Sequence, residues 1–211
     1  MSETWFTSDH HFGHKNILEY EKEARPFETV EEMNETLIDN WNNTVGKKDT
    51  VFHIGDFAFG RDNISIAGRL NGIKKLVMGN HDTYPCDEYL AYFTRLFGAH
   101  YCRRCILTHI PVHPEHLGAR FFLNIHGHMH SKEVKTGVHY AVEEKAFGEM
   151  VWVTDKNYFN VSVERHGLKP VNSDVINERL MELDDEILRS DGQAERRREG
   201  YKARVERRRV L

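Results

Sequence analysis

Cysteine and proline are scarce in this chain of 211 residues, which holds three of the first and five of the second. An odd number of cysteines excludes a framework in which every thiol is paired within the chain, and it suggests a reducing compartment. Cys102 and Cys105 have the spacing of half a zinc site, but no second pair of ligands lies near them in the sequence. We therefore expect ordinary reduced thiols.

Long apolar runs are also missing. No stretch approaches the roughly 18 apolar residues of a membrane-spanning helix. Residues 1–6 lack the positive charge followed by an apolar run that marks a signal peptide. With 39% apolar and 29% charged residues, the composition is that of a globular protein. We expect a cytoplasmic protein without a membrane partner.

Charge is unevenly distributed along the chain, whose formal net value is −4. Residues 189–211 contain nine Arg or Lys and four acidic residues, so the preceding part is acidic. The length suits one well-buried domain, which we place at residues 1–188, followed by a basic tail at 189–211. The tail could contact nucleic acid through its positive charge or form a solvated, self-compensating charged helix. We favour the second interpretation and keep nucleic acid as a partner only for an alternative function.

Strand-like runs alternate with helical patterns in the first half of the chain. Thr29 and Glu32 form a capping box ahead of a helix predicted over residues 29–45, where apolar residues recur every three or four positions. Strands are predicted at residues 4–8, 50–54, 76–78, 106–108, 122–125, 150–153 and 159–163, and further helices at 62–71, 87–96 and 174–188. This alternation predicts an α/β fold with a mainly parallel sheet and a second sheet packed on it.

Five short segments place polar side chains where a predicted strand passes into a loop. They read SDHHFGH at residues 8–14, GDF at 55–57, GNHD at 79–82, THIP at 108–111 and HGHMH at 126–130. Sites in parallel sheets gather at the carboxyl ends of the strands, so we expect these segments to meet. Their mixture of oxygen and imidazole ligands suits a pair of divalent transition metals. Such a pair promotes displacement at phosphorus, which predicts a metal-dependent phosphoesterase.

The order of these segments resembles the calcineurin-like metallophosphoesterases. The family pattern runs D-x-H, GD, GNH followed by Asp or Glu, a lone His, and GHxH, and residues 4–165 carry all five parts in that order. The run at residues 7–17 is most similar to small stand-alone members from bacteria and phages. The resemblance implies a four-layer αββα sandwich that hydrolyses phosphomonoesters or phosphodiesters with a hydroxide bridging two metal ions. We expect manganese, with iron, zinc, nickel or cobalt as alternatives.

The resemblance also implies a role for each motif residue. The metal ligands would be Asp9, His11 and His130 at one ion, Asn80, His109 and His128 at the other, and Asp56 between them. His81 would be the catalytic histidine, which gives a proton or a hydrogen bond to the leaving oxygen, with Asp82 fixing its tautomer. The family often has a second acid three positions after the Asp of GD, where this chain has Phe59.

Several interpretations stay open at the level of sequence. His14 either faces the phosphate of a substrate or packs under its loop. His10 and His53 are expected to point away from the metals, and His126 to support the ligands. The alternative enzymes are a metal-dependent nuclease and a cyclic-nucleotide phosphodiesterase, and the alternative from another class is an inactive scaffold of the same fold. Because inactive relatives usually lose ligands or the catalytic histidine, the complete set here favours an enzyme.

Overall fold

Two mainly parallel sheets form the fold in a computed structural model that describes residues 2–118, 120–139 and 150–190. The first sheet contains, in spatial order, β11 (Val171–Asn172), β1 (Thr4–Thr7), β2 (Thr50–His53), β3 (Ile73–Val77) and β4 (Arg95–Phe97). The second contains β10 (Tyr158–Asn160), β7 (Leu123–His126), β6 (Cys105–Leu107) and β5 (His100–Cys102). A separate antiparallel ribbon pairs β8 (Lys135–His139) with β9 (Met150–Thr154). In the two sheets only the edge strands β11 and β5 pair antiparallel with their neighbours. The predicted α/β class with a second sheet is confirmed.

The helices are mostly short. They are α1 (Ile17–Tyr20), α2 (Val30–Thr44), α3 (Cys86–Leu90) and α4 (Ser173–Ser190), with 3₁₀ helices at Arg61–Arg69, Pro114–His116 and Val163–His166. The predicted cap of α2 is confirmed, because the Thr29 hydroxyl accepts a hydrogen bond of 3.1 Å from the backbone N–H of Glu32. Among the described residues, no helix has both the length and the apolar character needed to cross a membrane.

One helix prediction is wrong in its second half, and another is confirmed with 3₁₀ geometry. The helix predicted over residues 87–96 ends at Leu90, and Arg95–Phe97 instead form β4, parallel to β3. The edge of β3 offers unpaired backbone groups, and this segment satisfies them, starting with the N–H of Thr94 on the carbonyl of Lys74 at 2.8 Å. The segment predicted as a helix over residues 62–71 is helical but 3₁₀ in geometry.

The buried apolar cluster joins α2 to the first sheet. Met33, Leu37 and Trp41 of α2 are fully buried with Val51 of β2 and Leu76 of β3. These α2 positions are spaced by four residues, so one face of the helix is apolar. This packing fixes the strands whose carboxyl ends carry the motif residues.

The chain divides into two compact units, residues 1–173 and a second unit that begins at Asp174. Of the second unit the structure describes residues 174–190, which belong to α4 and agree with the helix predicted over 174–188. The domain boundary at residue 188 stays a prediction. Residues 191–211, nearly all of the predicted basic tail, lie outside the described residues.

Asp49 ties the first strand to the turn before β2. Its carboxylate accepts hydrogen bonds from the backbone N–H groups of Glu3 and Gly46, both at 2.9 Å, and from the indole of Trp5 at 3.0 Å. The bond from Glu3, followed by that from Gly46, lowers the pKa of Asp49 below its ordinary value of 3.8. Asparagine accepts through one oxygen only, so Asp49→Asn should reduce the free energy of unfolding at pH 7 by about 1–3 kcal/mol.

The pH dependence of this effect has a definite sign. Because folding depresses the pKa of Asp49, its stabilisation is present above the ordinary value of 3.8 and is lost as the pH falls through the lowered pKa. The difference between the wild type and Asp49→Asn should therefore shrink in urea titrations below pH 3. An equal difference at pH 7 and in acid would contradict the assignment. Asp39→Asn, which changes an exposed carboxylate of α2, is the matched control.

Candidate metal centre

The loops that follow five strands bring the motif side chains together. Asp9, Asp56 and Asn80 follow β1, β2 and β3, His109 follows β6, and His128 and His130 follow β7. Backbone hydrogen bonds join neighbouring loops: the N–H of Asp9 donates to Gly55 at 3.0 Å, and that of Gly127 donates to His109 at 3.0 Å. Residues far apart in the sequence therefore meet because parallel strands end at the same edge of their sheets.

The candidate ligands form two groups with Asp56 between them. Asp9, His11 and His130 make the first group, Asp56, His109 and His128 make the second, and within each group the ligand atoms lie within 4.8 Å of one another. The Oδ2 atom of Asp56 lies 3.2 Å from His109 Nε2 and 3.5 Å from His11 Nε2. One carboxylate oxygen thus stands between imidazoles of both groups.

In the second group, the backbone fixes the tautomer of His109. Its Nδ1 lies 2.8 Å from the carbonyl of Ile54, and because a carbonyl only accepts, Nδ1 donates. Nε2 is thereby turned toward the Oδ1 atom of Asn80 at 3.0 Å and the carboxylate of Asp56. The neutral amide oxygen, the carboxylate and the imidazole predicted for one ion therefore face the same point.

In the first group, hydroxyls and a backbone amide orient Asp9. Its Oδ2 accepts hydrogen bonds from Ser8 Oγ at 2.6 Å and Ser162 Oγ at 2.8 Å. The backbone N–H of His128 donates to both carboxylate oxygens, at 3.0 and 3.1 Å. Asp9 is fully buried, and burial raises its pKa in spite of the nearby imidazoles. A cation at this place would favour the ionised form of the buried carboxyl.

The ring nitrogens of His11 are the clearest indication that these residues fit a metal ion. Both of its ring nitrogens are buried without a hydrogen-bond partner among the described residues. Burial lowers its pKa to about 2, although Asp56 acts in the opposite direction, so the ring is neutral at pH 7. A neutral imidazole whose Nε2 lies 3.5 Å from Asp56 Oδ2 and 3.9 Å from Asp9 Oδ1 suits a divalent cation.

The charges of the second group are strongly coupled. Burial lowers the pKa of His109, but its hydrogen bond to Asp56 and the charges of Asp9 and Asp56 raise it to about 9. Burial has the opposite effect on Asp56 and raises its pKa. The hydrogen bond from His109 and the charge of His109 nevertheless hold the pKa of Asp56 below its ordinary value. A proton on His109 therefore occupies the position next to Asp56 that a metal ion would compete for.

A buried ion pair that the sequence analysis missed supports His130. The carboxylate of Glu164 accepts from His130 Nδ1 at 3.0 Å and from the guanidinium of Arg25 at 2.6 Å. Arg25 is fully buried, and its guanidinium also donates to the backbone carbonyls of Asp9 and His10. The pair thus orients a candidate ligand and also holds the loop that carries two others.

Glu164→Gln should weaken metal binding at the first group. In the wild type one oxygen, Oε1 of Glu164, accepts from both His130 and Arg25, so the amide oxygen can keep these bonds. The substitution removes the negative charge that balances the buried guanidinium and strengthens the bond to His130. We expect the affinity for one of two manganese ions to fall by about 10- to 100-fold, the usual cost of losing a group that orients a ligand. Calorimetric titration of the chelator-treated protein separates the two binding events.

The matched control for this substitution is Glu35→Gln. Glu35 makes a bidentate ion pair with Arg69 on the surface, where both side chains are about half exposed. This pair should contribute little to the free energy of unfolding and nothing to metal binding. The free energy of unfolding without metal should also fall for Glu164→Gln, because Arg25 is left buried without its counter-charge. Unchanged manganese affinity in Glu164→Gln would show that the ion pair is structural only.

The backbone of the candidate ligands is strained. Five of them have positive φ angles: Asp9 at 57°, His11 at 50°, Asp56 at 56°, His128 at 67° and His130 at 49°. Outside this set, only Arg103 and Leu168 among the described non-glycine residues have positive φ. A left-handed conformation costs a residue with a Cβ roughly 1–2 kcal/mol. Concentration of this strain at one site is typical of functional positions.

Motif glycines permit close approach beneath the ligands. A Cβ on Gly79 would lie 2.2 Å from Asp56 Oδ1, and one on Gly127 would lie 2.5 Å from Asp9 Oδ2. These contacts are far shorter than van der Waals distances, so neither carboxylate would keep its place. The glycines of the GN and GH motifs are therefore required by the packing of the site.

Asp82 makes contacts that the sequence analysis did not predict. Its carboxylate accepts hydrogen bonds from three backbone N–H groups, those of Asp56 and Gly79 at 2.8 Å and that of Phe57 at 3.1 Å. The carboxylate thereby joins the loops after β2 and β3 and holds Asp56. Asp82 therefore positions these loops, and its predicted effect on the tautomer of His81 stays a prediction.

The His81 side chain lies beside the first group. Its ring centroid is 5.4 Å from that of His11 and 6.4 Å from that of His14. Its backbone N–H donates to Asp56 Oδ1 at 2.9 Å, so the ring is carried by a segment anchored to the centre. Its catalytic role stays a prediction.

Of the other four histidines near the motifs, three are buried and hydrogen-bonded, and His14 is partly exposed. His10 and His53 are buried and share a hydrogen bond of 2.9 Å between ring nitrogens, away from the ligands as expected. His126 is buried and bonds through Nδ1 to the carbonyl of Gly127 at 2.8 Å, which supports the loop. The ring of His14 is partly exposed and stacks on Phe59 with centroids 4.3 Å apart.

Comparison with known proteins identifies the class of the chain. A family profile described as calcineurin-like phosphoesterase matches residues 3–192. The chain therefore belongs to this family, as its motifs predict. Membership in a family of metallophosphoesterases agrees with the two groups of candidate metal ligands and suggests a hydrolase that acts on phosphoester bonds.

The relatives come from an archaeon and from phages. An uncharacterized protein of Methanocaldococcus jannaschii is 34% identical over 185 residues, which cover 83% of this chain and 90% of that protein. The gene 66 protein of Mycobacterium phage L5 is 44% identical over 87 residues, covering 39% of this chain and 41% of its own length. A crystal structure of a protein of unknown function from Aquifex aeolicus covers 84% of this chain and 99% of its own, with a TM-score of 0.56 and 24% identity, which shows a shared fold.

Proposed function

We propose that the protein hydrolyses phosphate esters with the help of two divalent metal ions. The observation that carries the proposal is the position of Asp56 Oδ2, within 3.5 Å of an imidazole nitrogen from each group. A carboxylate between two sets of imidazole and oxygen ligands is the arrangement that a pair of cations requires. Asp9, His11 and His130 would hold one ion, Asn80, His109 and His128 the other, and Asp56 both.

The charge of the ligand set suits an anionic substrate. Two carboxylates, one amide and imidazoles would leave a centre with two divalent ions positively charged. The ions would supply what the side chains lack, a lowered pKa of water and compensation for charge on the phosphoryl oxygens. Mixed nitrogen and oxygen ligands suit manganese, iron or zinc, and we propose manganese.

The side chains of the protein would hold the metal ligands in place and donate a proton to the leaving group. Asp82 holds Asp56 through the backbone of two loops, and Glu164 holds the ring of His130. His81 lies beside His11 with its ring free of the ligand set, where it can give a proton or a hydrogen bond to the departing oxygen. These contacts are present without the ions and support the proposed roles.

A metal-reconstituted substrate panel tests the proposal. Protein freed of metal with a chelator should hydrolyse no ester, and manganese should restore activity together with about two bound ions per chain, as a two-metal site requires. The panel contains p-nitrophenyl phosphate, bis-p-nitrophenyl phosphate, 2′,3′- and 3′,5′-cyclic nucleotides, and single-stranded nucleic acid. A protein that binds two ions but hydrolyses no compound of the panel would be the inactive scaffold.

A further inference from the structure

Three aromatic rings lie in a row beside the candidate metal centre. Phe59 stacks on His14 with centroids 4.3 Å apart and an angle of 16° between the ring planes. Tyr20 meets the ring of His14 edge-on at 6.2 Å. We call these three side chains, Tyr20, His14 and Phe59, the aromatic platform.

The aromatic platform adjoins the residue proposed to protonate the leaving group. The Phe59 ring lies 5.9 Å from that of His81, and the His14 ring lies 5.3 Å from that of His11. The platform therefore begins where the metal ligands end. A leaving group whose oxygen lies next to His81 would extend toward Phe59, the ring at this end of the platform.

The platform is exposed although it is made of large rings. Phe59 is 46% exposed and Tyr20 is 70% exposed. His14 covers one face of the Phe59 ring at stacking distance, so the exposure of Phe59 belongs to its other face and its edge. A flat apolar face that is open next to an active centre can receive a second ring at low entropic cost.

The backbone holds Phe59 and His14 in this position. The N–H of Phe59 donates to the carbonyl of Phe12 at 2.9 Å, and its own carbonyl accepts from the side chain of Asn63 at 2.7 Å. Gly13 adopts a φ of +81°, and a Cβ there would lie 2.0 Å from Asn63 Nδ2, so the two loops pack without room for a side chain. The stacked pair is thus presented by fixed loops, as a pre-organised binding surface requires.

We propose that the aromatic platform binds a planar ring in the leaving group of the substrate, with Phe59 as the stacking residue. The inference rests on the proposed hydrolysis of phosphate esters. It narrows the substrates to esters whose leaving group carries a planar aromatic ring. Two sources supply such a ring, the base of a nucleotide and a simple aryl group. Phe59 stands three positions after Asp56, where the family pattern often has a second acid.

The test measures binding, so that it does not depend on a preference for monoesters or diesters. Calorimetry on the manganese-loaded protein uses phosphonates, whose P–C bond the protein cannot hydrolyse. The phosphonate analogues of adenosine 5′-monophosphate and ribose 5-phosphate share the sugar and differ in the base. Benzylphosphonate and ethylphosphonate form the second pair, without a nucleoside. One stacked ring should give the first member of a pair on the order of tenfold higher affinity.

The substitutions isolate stacking from apolar contact. Phe59→Leu keeps an apolar side chain but removes the ring face, so the affinity ratio within a pair should fall to about one, as expected when base stacking is lost. Phe59→Trp should restore the ratio. Tyr101→Leu is the matched control, because Tyr101 is 55% exposed and lies on β5, stacked on Phe121. A preference in both pairs identifies any planar ring as the ligand, and a preference in the nucleotide pair alone identifies a nucleobase.

Two results would overturn the inference. One is wild-type protein that binds the ring-bearing compounds no better than their ringless partners, or does not bind them at all. The other is a ring preference that persists undiminished in Phe59→Leu. Failure of the proposed function gives a different result, a ring preference that depends on Phe59 in a protein that hydrolyses no ester of the panel.

Discussion

Asp56→Asn should abolish nearly all hydrolysis and reduce manganese binding to one ion per chain or fewer. The Oδ1 atom of Asp56 accepts from the backbone N–H of His81 at 2.9 Å, so this side needs an acceptor. An amide oxygen there would turn the NH₂ group toward His11 and His109, where it offers no lone pair. We expect activity to fall by about a thousandfold or more, since a metal pair supplies several kcal/mol and each 1.36 kcal/mol is tenfold in rate.

Elemental analysis and turnover of p-nitrophenyl phosphate measure the effect of Asp56→Asn. The matched control is Asp62→Asn, which removes the same charge from an exposed residue of the 3₁₀ helix Arg61–Arg69. Thermal unfolding without metal should show a folded variant, which separates loss of the site from loss of the fold. Two tightly bound ions and undiminished turnover in Asp56→Asn would refute the bridging role.

The sequence predicted which residues meet because the topology is simple at this edge. Asp9, Asp56 and Asn80 each follow a run of apolar or β-branched residues, and successive parallel strands deliver their carboxyl ends side by side. The same argument brought His109 and His128 to the site from β6 and β7. The division of these residues into two ligand groups was predicted from the family resemblance of the motifs. Strand patterns alone do not predict this division.

The residues that sequence analysis missed act through tertiary contacts. Glu164 lies 139 positions from Arg25 and falls in a short 3₁₀ helix, with no motif spacing that relates the two. Arg25 stands among charged residues and reads as a surface position, yet it is fully buried. Local pattern cannot show such a pair, because its stability depends on desolvation and charge at a site that exists only in the folded chain.

Local pattern also did not show the backbone contacts of Asp82, and it predicted a helix where β4 forms. The family resemblance implied a role for Asp82 at His81 but gave no sign of contacts with the backbone. Its carboxylate satisfies three backbone donors that would otherwise lack partners. At residues 95–97, pairing with the open edge of β3 outweighed a weak helical pattern.

His81→Gln should keep both metal ions and lose most of the turnover. The ring lies outside the two ligand groups, 5.4 Å from His11 between centroids, so its removal leaves the ligands in place. General acid catalysis is worth about 10²–10⁴ in rate, and the loss should approach that range for alkyl phosphates. It should be much smaller for p-nitrophenyl phosphate, because p-nitrophenolate leaves without being protonated.

The contrast between leaving groups separates acid catalysis from a positioning role for His81. If His81 only oriented the phosphate, both kinds of ester would lose the same factor, and an equal loss would therefore remove it from the acid role. His116→Gln, which changes an exposed histidine of the 3₁₀ helix Pro114–His116, is the matched control for turnover and metal content. Glutamine can still donate a hydrogen bond but cannot transfer a proton at neutral pH, so any activity it preserves on alkyl esters measures the share of catalysis that hydrogen bonding provides.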